Sequence, residues 1–268
     1  MVAIMGILNA TPDSFASGGA AASVEHGVAM IAAGADILDI GGESTRPDAA
    51  VVAPDEERAR VLPLIRALAG QGVAISIDTR NASTMAAALD AGASIVNDVT
   101  GLTHDPDAAA LVAARGCQVV VMHMRGSPAT MTGLTAYDDV VAEVVAELGE
   151  RVAAAERAGV ARARMIIDPG IGFAKTAAQN LALLRGLEAF QVFGVKVLVG
   201  VSRKAFIGAY GGEADPLRRL PGSLAAALFA LDHGASILRV HDVAETRQAV
   251  SVWQSLRESS SARADPAL

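Results

Sequence analysis

The segment Ala33-Gly-Ala-Asp-Ile-Leu-Asp-Ile-Gly-Gly-Glu-Ser-Thr-Arg-Pro47 contains one complete joint of the chain. A helical pattern, Ser23–Ala33, stops at Gly34, and a glycine just past a helix can take positive φ without steric cost. The apolar run Asp36–Ile40 then has the length of a strand. It ends in a loop of Gly, Glu, Ser, Thr, Arg and Pro. The Ala-Gly-Ala triplet of residues 33–35 recurs at 91–93, again between a helical and a strand pattern.

Working outward from this joint, short apolar runs appear at Val2–Leu8, Asp36–Ile40, Ala74–Ile77, Ser94–Val96, Gln118–Met122, Met165–Ile167, Val197–Val201 and Ser236–Val240. Helical signals lie between them at Ser23–Ala33, Pro54–Ala69, Asn81–Ala91, Asp105–Arg115, Tyr137–Ala158 and Gly222–His233, each followed by glycine. Strict alternation implies a parallel sheet with right-handed crossovers. Eight units in a chain of 268 residues predict a closed (β/α)8 TIM barrel in one domain, residues 1–257, with a polar tail at 258–268. A doubly wound open sheet is the alternative, but the first strand lacks the Gly-x-Gly-x-x-Gly turn of dinucleotide-binding folds.

Composition narrows the function. Hydrophobic residues make up 52% of the chain and the net charge is −7. An acidic chain does not attract nucleic acid or anionic lipid globally, so an anionic substrate needs a local basic cluster. No apolar stretch is long enough for a membrane span and no signal peptide is visible. A cytoplasmic location is expected, and the one cysteine, Cys117, fits a reducing compartment and reads as a buried small hydrophobe in a strand.

The decisive pattern lies at the strand ends. Asn9, Glu43 to Arg46, Asp78-Thr79-Arg80, Asn97-Asp98, His123-Met124-Arg125, Asp168, Ser202-Arg203-Lys204 and Arg239 to Asp242 all follow or close an apolar run. Active sites of such barrels form at this C-terminal face. Two subsites follow. Asp78, Asn97 and Asp168 suit a flat heterocycle with an N–C–N donor edge, because a carboxylate accepts two parallel hydrogen bonds. Lys204 adds a donor, and Met122 and Phe173 add apolar contact. Arg239 and His241, two apart on one strand, point to the same side. With Arg46, Arg203 and Asn9 they make a group for phosphate or diphosphate, Asn9 serving as an oxygen ligand for Mg²⁺. Asp98 and Asp242 read more simply as caps or backbone-binding carboxylates. Thr79 and Ser202 read as partners of backbone groups, and His26, His104 and His233 as surface or helix-terminal residues. His123 fits support and substrate contact equally.

The segments Met5-Gly-Ile-Leu-Asn-Ala-Thr-Pro-Asp-Ser-Phe15 and Asp39-Ile-Gly-Gly-Glu-Ser-Thr-Arg-Pro47 resemble the signature stretches of dihydropteroate synthases. Ser76-Ile-Asp-Thr-Arg80, Asn97-Asp-Val99, Met122-His-Met-Arg-Gly126, Ile167-Asp-Pro-Gly-Ile-Gly-Phe173, Val201-Ser-Arg-Lys204 and Arg239-Val-His-Asp-Val243 follow in that family's order. The resemblance implies a transferase of folate biosynthesis. It would join 6-hydroxymethyl-7,8-dihydropterin diphosphate to 4-aminobenzoate, with Mg²⁺ as cofactor, as a homodimer. It implies pterin binding by Asp78, Asn97, Asp168 and Lys204, and diphosphate or Mg²⁺ binding by Asn9, Arg239 and His241. It also implies 4-aminobenzoate binding, the step sulfonamides imitate, at Thr45, Arg46, Pro47 and Lys204. Asp168, Lys204 and Asp78 are the expected catalytic residues. The chain departs from the family's usual pattern at Ala16, Ser17, Asp48, Ala174 and Ala205. Two rival readings are a pterin-dependent methyltransferase domain, which has no need of Arg239 and His241 as a phosphate pair, and a non-catalytic pterin-binding paralogue.

Overall fold

The structure, a computed structural model, describes residues 2–10, 19–44 and 51–257. Eight parallel strands close on themselves in sequence order. They are β1 Ala3–Asn9, β2 Ile37–Gly41, β3 Ala74–Asp78, β4 Ile95–Asp98, β5 Gln118–Met122, β6 Met165–Asp168, β7 Lys196–Val199 and β8 Ile237–Val240. Closure is made by β1 against β8, where Met5 stands level with Arg239.

Nine α-helices surround the barrel among the described residues: α1 Gly19–Ala32, α2 Pro54–Leu68, α3 Ala82–Asp90, α4 Ala108–Arg115, α5 Val140–Arg157, α6 Ala177–Arg185, α7 Ala205–Gly211, α8 Leu220–Asp232 and α9 Val243–Arg257. The six glycines read as helix stops, at 34, 70, 92, 116, 159 and 234, all take positive φ. Helices α6, α7 and α9 lie outside the runs read as helical, although α7 also ends on a left-handed glycine, Gly212, with φ 70. Gly186 after α6 has φ −94, and that helix is instead set by a capping box between Thr176 and Gln179 at its start. Cys117 corrects an expectation: it is half-buried and sits one residue before β5 rather than inside it. The segment 258–268 read as a tail lies outside the described residues, as do Thr45, Arg46 and Pro47 and the variant positions Ala16, Ser17 and Asp48.

Side chains on a strand alternate between faces, so the barrel interior takes every second residue. Its lower layer is a plug of Met5, Ile37, Ile95, Val120, Ile166, Leu198 and Ile237. The outward set, including Leu8, Leu38, Ile40, Ile75, Ile77, Val119 and Val121, packs against the helices. Two residues beyond the plug, the same inward parity carries Asp39, Asn97, Met122, Asp168 and Arg239, and Asp78 lies level with Asn97 across β3 and β4. A dry apolar floor is thus overlaid by polar groups pointing to one mouth.

The loop after β6 is the tightest part of that mouth. Gly170, Gly172 and Ala174 have φ of 70, 83 and 51. A Cβ at Gly170 would lie 1.9 Å from the carbonyl oxygen of His123. Gly170→Ala should therefore cost at least about 2 kcal/mol, adding steric displacement to the left-handed backbone penalty. Ala174→Gly should instead stabilise by up to about 1 kcal/mol, because glycine adopts this conformation freely. Urea unfolding midpoints at constant m would check both; equal midpoints for wild type and Gly170→Ala would refute the first.

Candidate active site

At the mouth, Arg239 on β8 reaches across the barrel. Its Nε donates to Asp39 at 2.6 Å and an Nη donates to Asp78 at 2.7 Å. Asn97 donates from Nδ2 to the same Asp39 oxygen at 2.9 Å. Four strands are tied through one guanidinium and two carboxylates. Burial drives the Asp78 carboxyl pKa up, against the attraction of Arg239, with Asp39 adding repulsion. Burial opposes charge on Arg239 too, but Asp39 and Asp78 more than offset it and hold that pKa above its ordinary value.

Asp39 is fully buried and belongs to this set, although the strand-end pattern does not mark it. The signal was present: Asp39 follows the inward Ile37 by two, so the strand's own period aims it into the barrel.

Asp168 closes β6, 7% exposed, with one carboxylate oxygen accepting from the backbone N–H of Gly170 at 2.7 Å. Burial raises its pKa, opposed by Lys204, the Gly170 N–H, Arg239 and Lys175. Lys204 stands at the start of α7, its ammonium donating to the carbonyl of Ile171 and lying 4.5 Å from the centre of the Phe173 ring. Burial lowers the Lys204 pKa to about 8, with Asp168 pulling the other way. Met122 packs with Met124, Met131 and Ala174, and Phe173 flanks that cluster. So Asp78, Asn97, Asp168, Lys204, Met122 and Phe173 are gathered at one end of the barrel.

The expected phosphate group is divided. Asn9 and His241 line a cleft of about 660 Å³ between β1, β8, α1 and α9, along with Ser23, His26 and Arg203. Arg239, by contrast, turns its guanidinium to the two carboxylates. Arg203 is paired with Asp242, and the His241 ring nitrogen Nδ1 meets the Ser202 hydroxyl at 3.0 Å. Asn9 is exposed at the end of β1. Among the described residues no set of three His, Cys, Asp or Glu side chains forms a metal cluster. A single amide oxygen still suits Mg²⁺, which keeps waters and is commonly held by few protein ligands plus substrate phosphates.

Of the residues with simpler readings, Asp98 sits accordingly, whereas Asp242, read as a cap or backbone-binding carboxylate, gives its carboxylate to the guanidinium of Arg203 instead. Asp98 accepts from the N–H and hydroxyl of Thr100 and from the N–H of Leu102. Thr79 donates its hydroxyl to the buried Glu57 of α2. His123 is fully buried, with Nε2 at 2.9 Å from Glu147 and Nδ1 at 2.9 Å from Lys175. It supports the site from behind.

Comparison with known proteins agrees with this geometry. The family model described as "Pterin binding enzyme" matches residues 5–241. The chain is 46% identical to dihydropteroate synthase of Escherichia coli strain K12 over 254 residues, covering 93% of this chain and 89% of that one. It is 47% identical to a probable bifunctional folylpolyglutamate synthase/dihydropteroate synthase of Haloferax volcanii, covering 98% of this chain and 32% of that longer protein. Among solved structures, Xanthomonas albilineans dihydropteroate synthase with 4-aminobenzoic acid superposes with a TM-score of 0.91 at 47% identity, covering 96% of this chain and 93% of that one. A Yersinia pestis dihydropteroate synthase in complex with a sulfonamide drug superposes with a TM-score of 0.92 at 38% identity, covering 96% and 95%. A closed eight-stranded barrel, a ring of inward carboxylates with one amide, and matches over nearly the full chain place this protein in the pterin-binding enzyme family, among the dihydropteroate synthases.

Proposed function

We propose that the chain condenses 6-hydroxymethyl-7,8-dihydropterin diphosphate with 4-aminobenzoate, releasing pyrophosphate and 7,8-dihydropteroate, through a cation on the pterin methylene. The observation that carries this reading is the convergence of Asp78, Asn97 and Asp168 at one mouth of the barrel above an apolar floor, with Lys204 beside them. A pterin presents an N–C–N edge and a ring carbonyl; carboxylates accept from the first and an ammonium donates to the second.

Asp168 does two jobs in this scheme. Its carboxylate accepts from the ring edge, and its negative charge stabilises the cation that develops as the methylene–oxygen bond breaks. Low exposure strengthens that interaction, because little water competes. Phe173, beneath the Lys204 ammonium, offers an apolar face to the pterin ring. The amine of 4-aminobenzoate is neutral near pH 7 and attacks without a strong base. Thr45, Arg46 and Pro47 are assigned to its carboxylate end by the family resemblance.

Asn9 and His241 are assigned to the diphosphate, on the strength of the shared cleft. Asn9 would hold Mg²⁺, which supplies positive charge against the leaving pyrophosphate. Arg239 acts from the pterin side, holding Asp39 and Asp78 in place. That position still lowers the energy of negative charge nearby. The methyltransferase reading gains nothing from such a cleft.

Two finer properties are proposed with the activity. A homodimer is supported by the exposed apolar side chains Tyr210, Leu217 and Phe229 around α7 and α8. A cytoplasmic location is supported by the single unpaired thiol. No helix is long and apolar enough to cross a membrane among the described residues.

The direct test is pyrophosphate release from the pterin diphosphate with Mg²⁺, with and without 4-aminobenzoate; a folded sample that binds pterin yet releases none refutes the reading. Asp168→Asn should lower kcat by about 10²–10³, the usual effect of removing one electrostatic stabiliser. His241→Ala should raise KM for the diphosphate substrate more than that for the amine. Activity should also be bell-shaped in pH. Its acid limb belongs to Asp168, whose raised pKa means the carboxylate is lost above the ordinary carboxylate range as pH falls. Its alkaline limb lies near 8, where the lowered Lys204 ammonium loses its proton as pH rises. A profile flat through pH 8 would remove Lys204 from its role.

A further inference from the structure

Lys175 is 8% exposed and none of the assigned steps uses it. Its Nζ is 2.9 Å from His123 Nδ1, 3.0 Å from the Gly170 carbonyl and 2.9 Å from the Phe173 carbonyl. That is three acceptors for three N–H bonds, and only the protonated amine has three. The imidazole is correspondingly fixed as the Nε2–H tautomer, accepting at Nδ1 from Lys175 and donating from Nε2 to Glu147. None of the three contacts carries negative charge. The ammonium is therefore buried without an ion-pair partner in contact, an arrangement that costs several kcal/mol unless charge elsewhere offsets it.

The two carbonyls it holds belong to the loop of left-handed residues that begins at Asp168. Asp168 is also bonded within that loop, to the Gly170 N–H. Attraction between Asp168 and the Lys175 ammonium favours the charged form of each. Around Lys175 stand Asp168, Lys204, Arg151, Glu147 and His123. Around Asp168 stand Lys204, Arg239 and Lys175. Burial draws Lys175 itself down to about 7, so its charge is close to being lost near neutral pH.

We propose that Lys175 is a positioning residue: its three N–H bonds clasp the loop from Gly170 to Phe173, and its buried charge holds Asp168 as a carboxylate. This rests on the assignment of Asp168 to the pterin, and it adds a group beneath the site that touches no substrate. It also makes the loop's shape, and the ease with which Asp168 takes up a proton, depend on one ammonium group.

The test reads Asp168 directly, by ¹³Cγ NMR of aspartate-labelled chain, with Asp168→Asn to assign the resonance. Lys175→Met and Lys175→Gln should each move the Asp168 titration upward by about one pH unit, the usual influence of one nearby opposite charge. The acid limb of kcat/KM for the pterin diphosphate should move with it, while KM for the amine stays within about twofold. An unchanged Asp168 titration in a folded Lys175→Gln chain overturns the proposal. If neither neutral variant folds, the reciprocal measurement decides: Asp168→Asn should lower the Lys175 pKa seen by ¹⁵Nζ NMR, and an unmoved Lys175 overturns it. The NMR titrations need no turnover. A wild-type chain that releases no pyrophosphate would refute the proposed reaction, while the titrations would still report on the clasp.

Discussion

Closing eight strands into a barrel forces every second side chain into a space too narrow for water. That single constraint organises the molecule. The lower inward layer has to be apolar, and it is: Met5, Ile37, Ile95, Val120, Ile166, Leu198 and Ile237 fill it. The next inward layer faces the mouth and can carry polar groups only if they satisfy one another. Asp39, Asn97, Asp78 and Arg239 largely meet this condition through one hydrogen-bonded set spanning four strands; Asp39 Oδ1 is the exception, buried with no hydrogen-bond partner. The site is thus the upper half of the core.

Charge is arranged in two tiers around that set. On the β2, β3 and β8 side, carboxylates are neutralised by direct contact with Arg239, whose fixed planar fork suits two acceptors at once. On the β6 and β7 side, Asp168 has no guanidinium against it. It stands among Lys204, Lys175 and a backbone N–H, with Arg239 acting on it without a hydrogen bond. The difference has a functional sense. Arg239 takes one oxygen of Asp78 and draws on its charge while leaving the other oxygen for a ligand, whereas Asp168 keeps its charge available for a cation that forms only during reaction.

The eight-fold repeat, the parallel barrel and the gathering of Asp78, Asn97, Asp168 and Lys204 at one face were legible in the sequence, because strand period and glycine stops are local signals. The same holds for the bland readings of Asp98 and Thr79, whose side-chain oxygens accept from the backbone N–H groups of Thr100 and Asn81. Two buried residues, Asp39 and Lys175, are less legible, for different reasons. Asp39 sits inside a signature segment whose loop residues draw attention away from its strand parity. Lys175 looks like an ordinary solvated lysine after Phe173-Ala174, and nothing within the run predicts burial.

What the sequence by itself determined is the order of the units, the end of each strand that carries chemistry, and, through the motif order, the family. The partners of the charges were decided by tertiary structure alone. Arg239 and His241 are two apart, and alternation assigns them a common side. Yet Arg239 reaches carboxylates on β2 and β3, while His241 meets Ser202 beyond β7. Which acceptor a long side chain finds depends on barrel closure, which brings residues some two hundred positions apart within 2.6 Å. Spacing along one strand specifies a direction; only the closed barrel specifies what lies there.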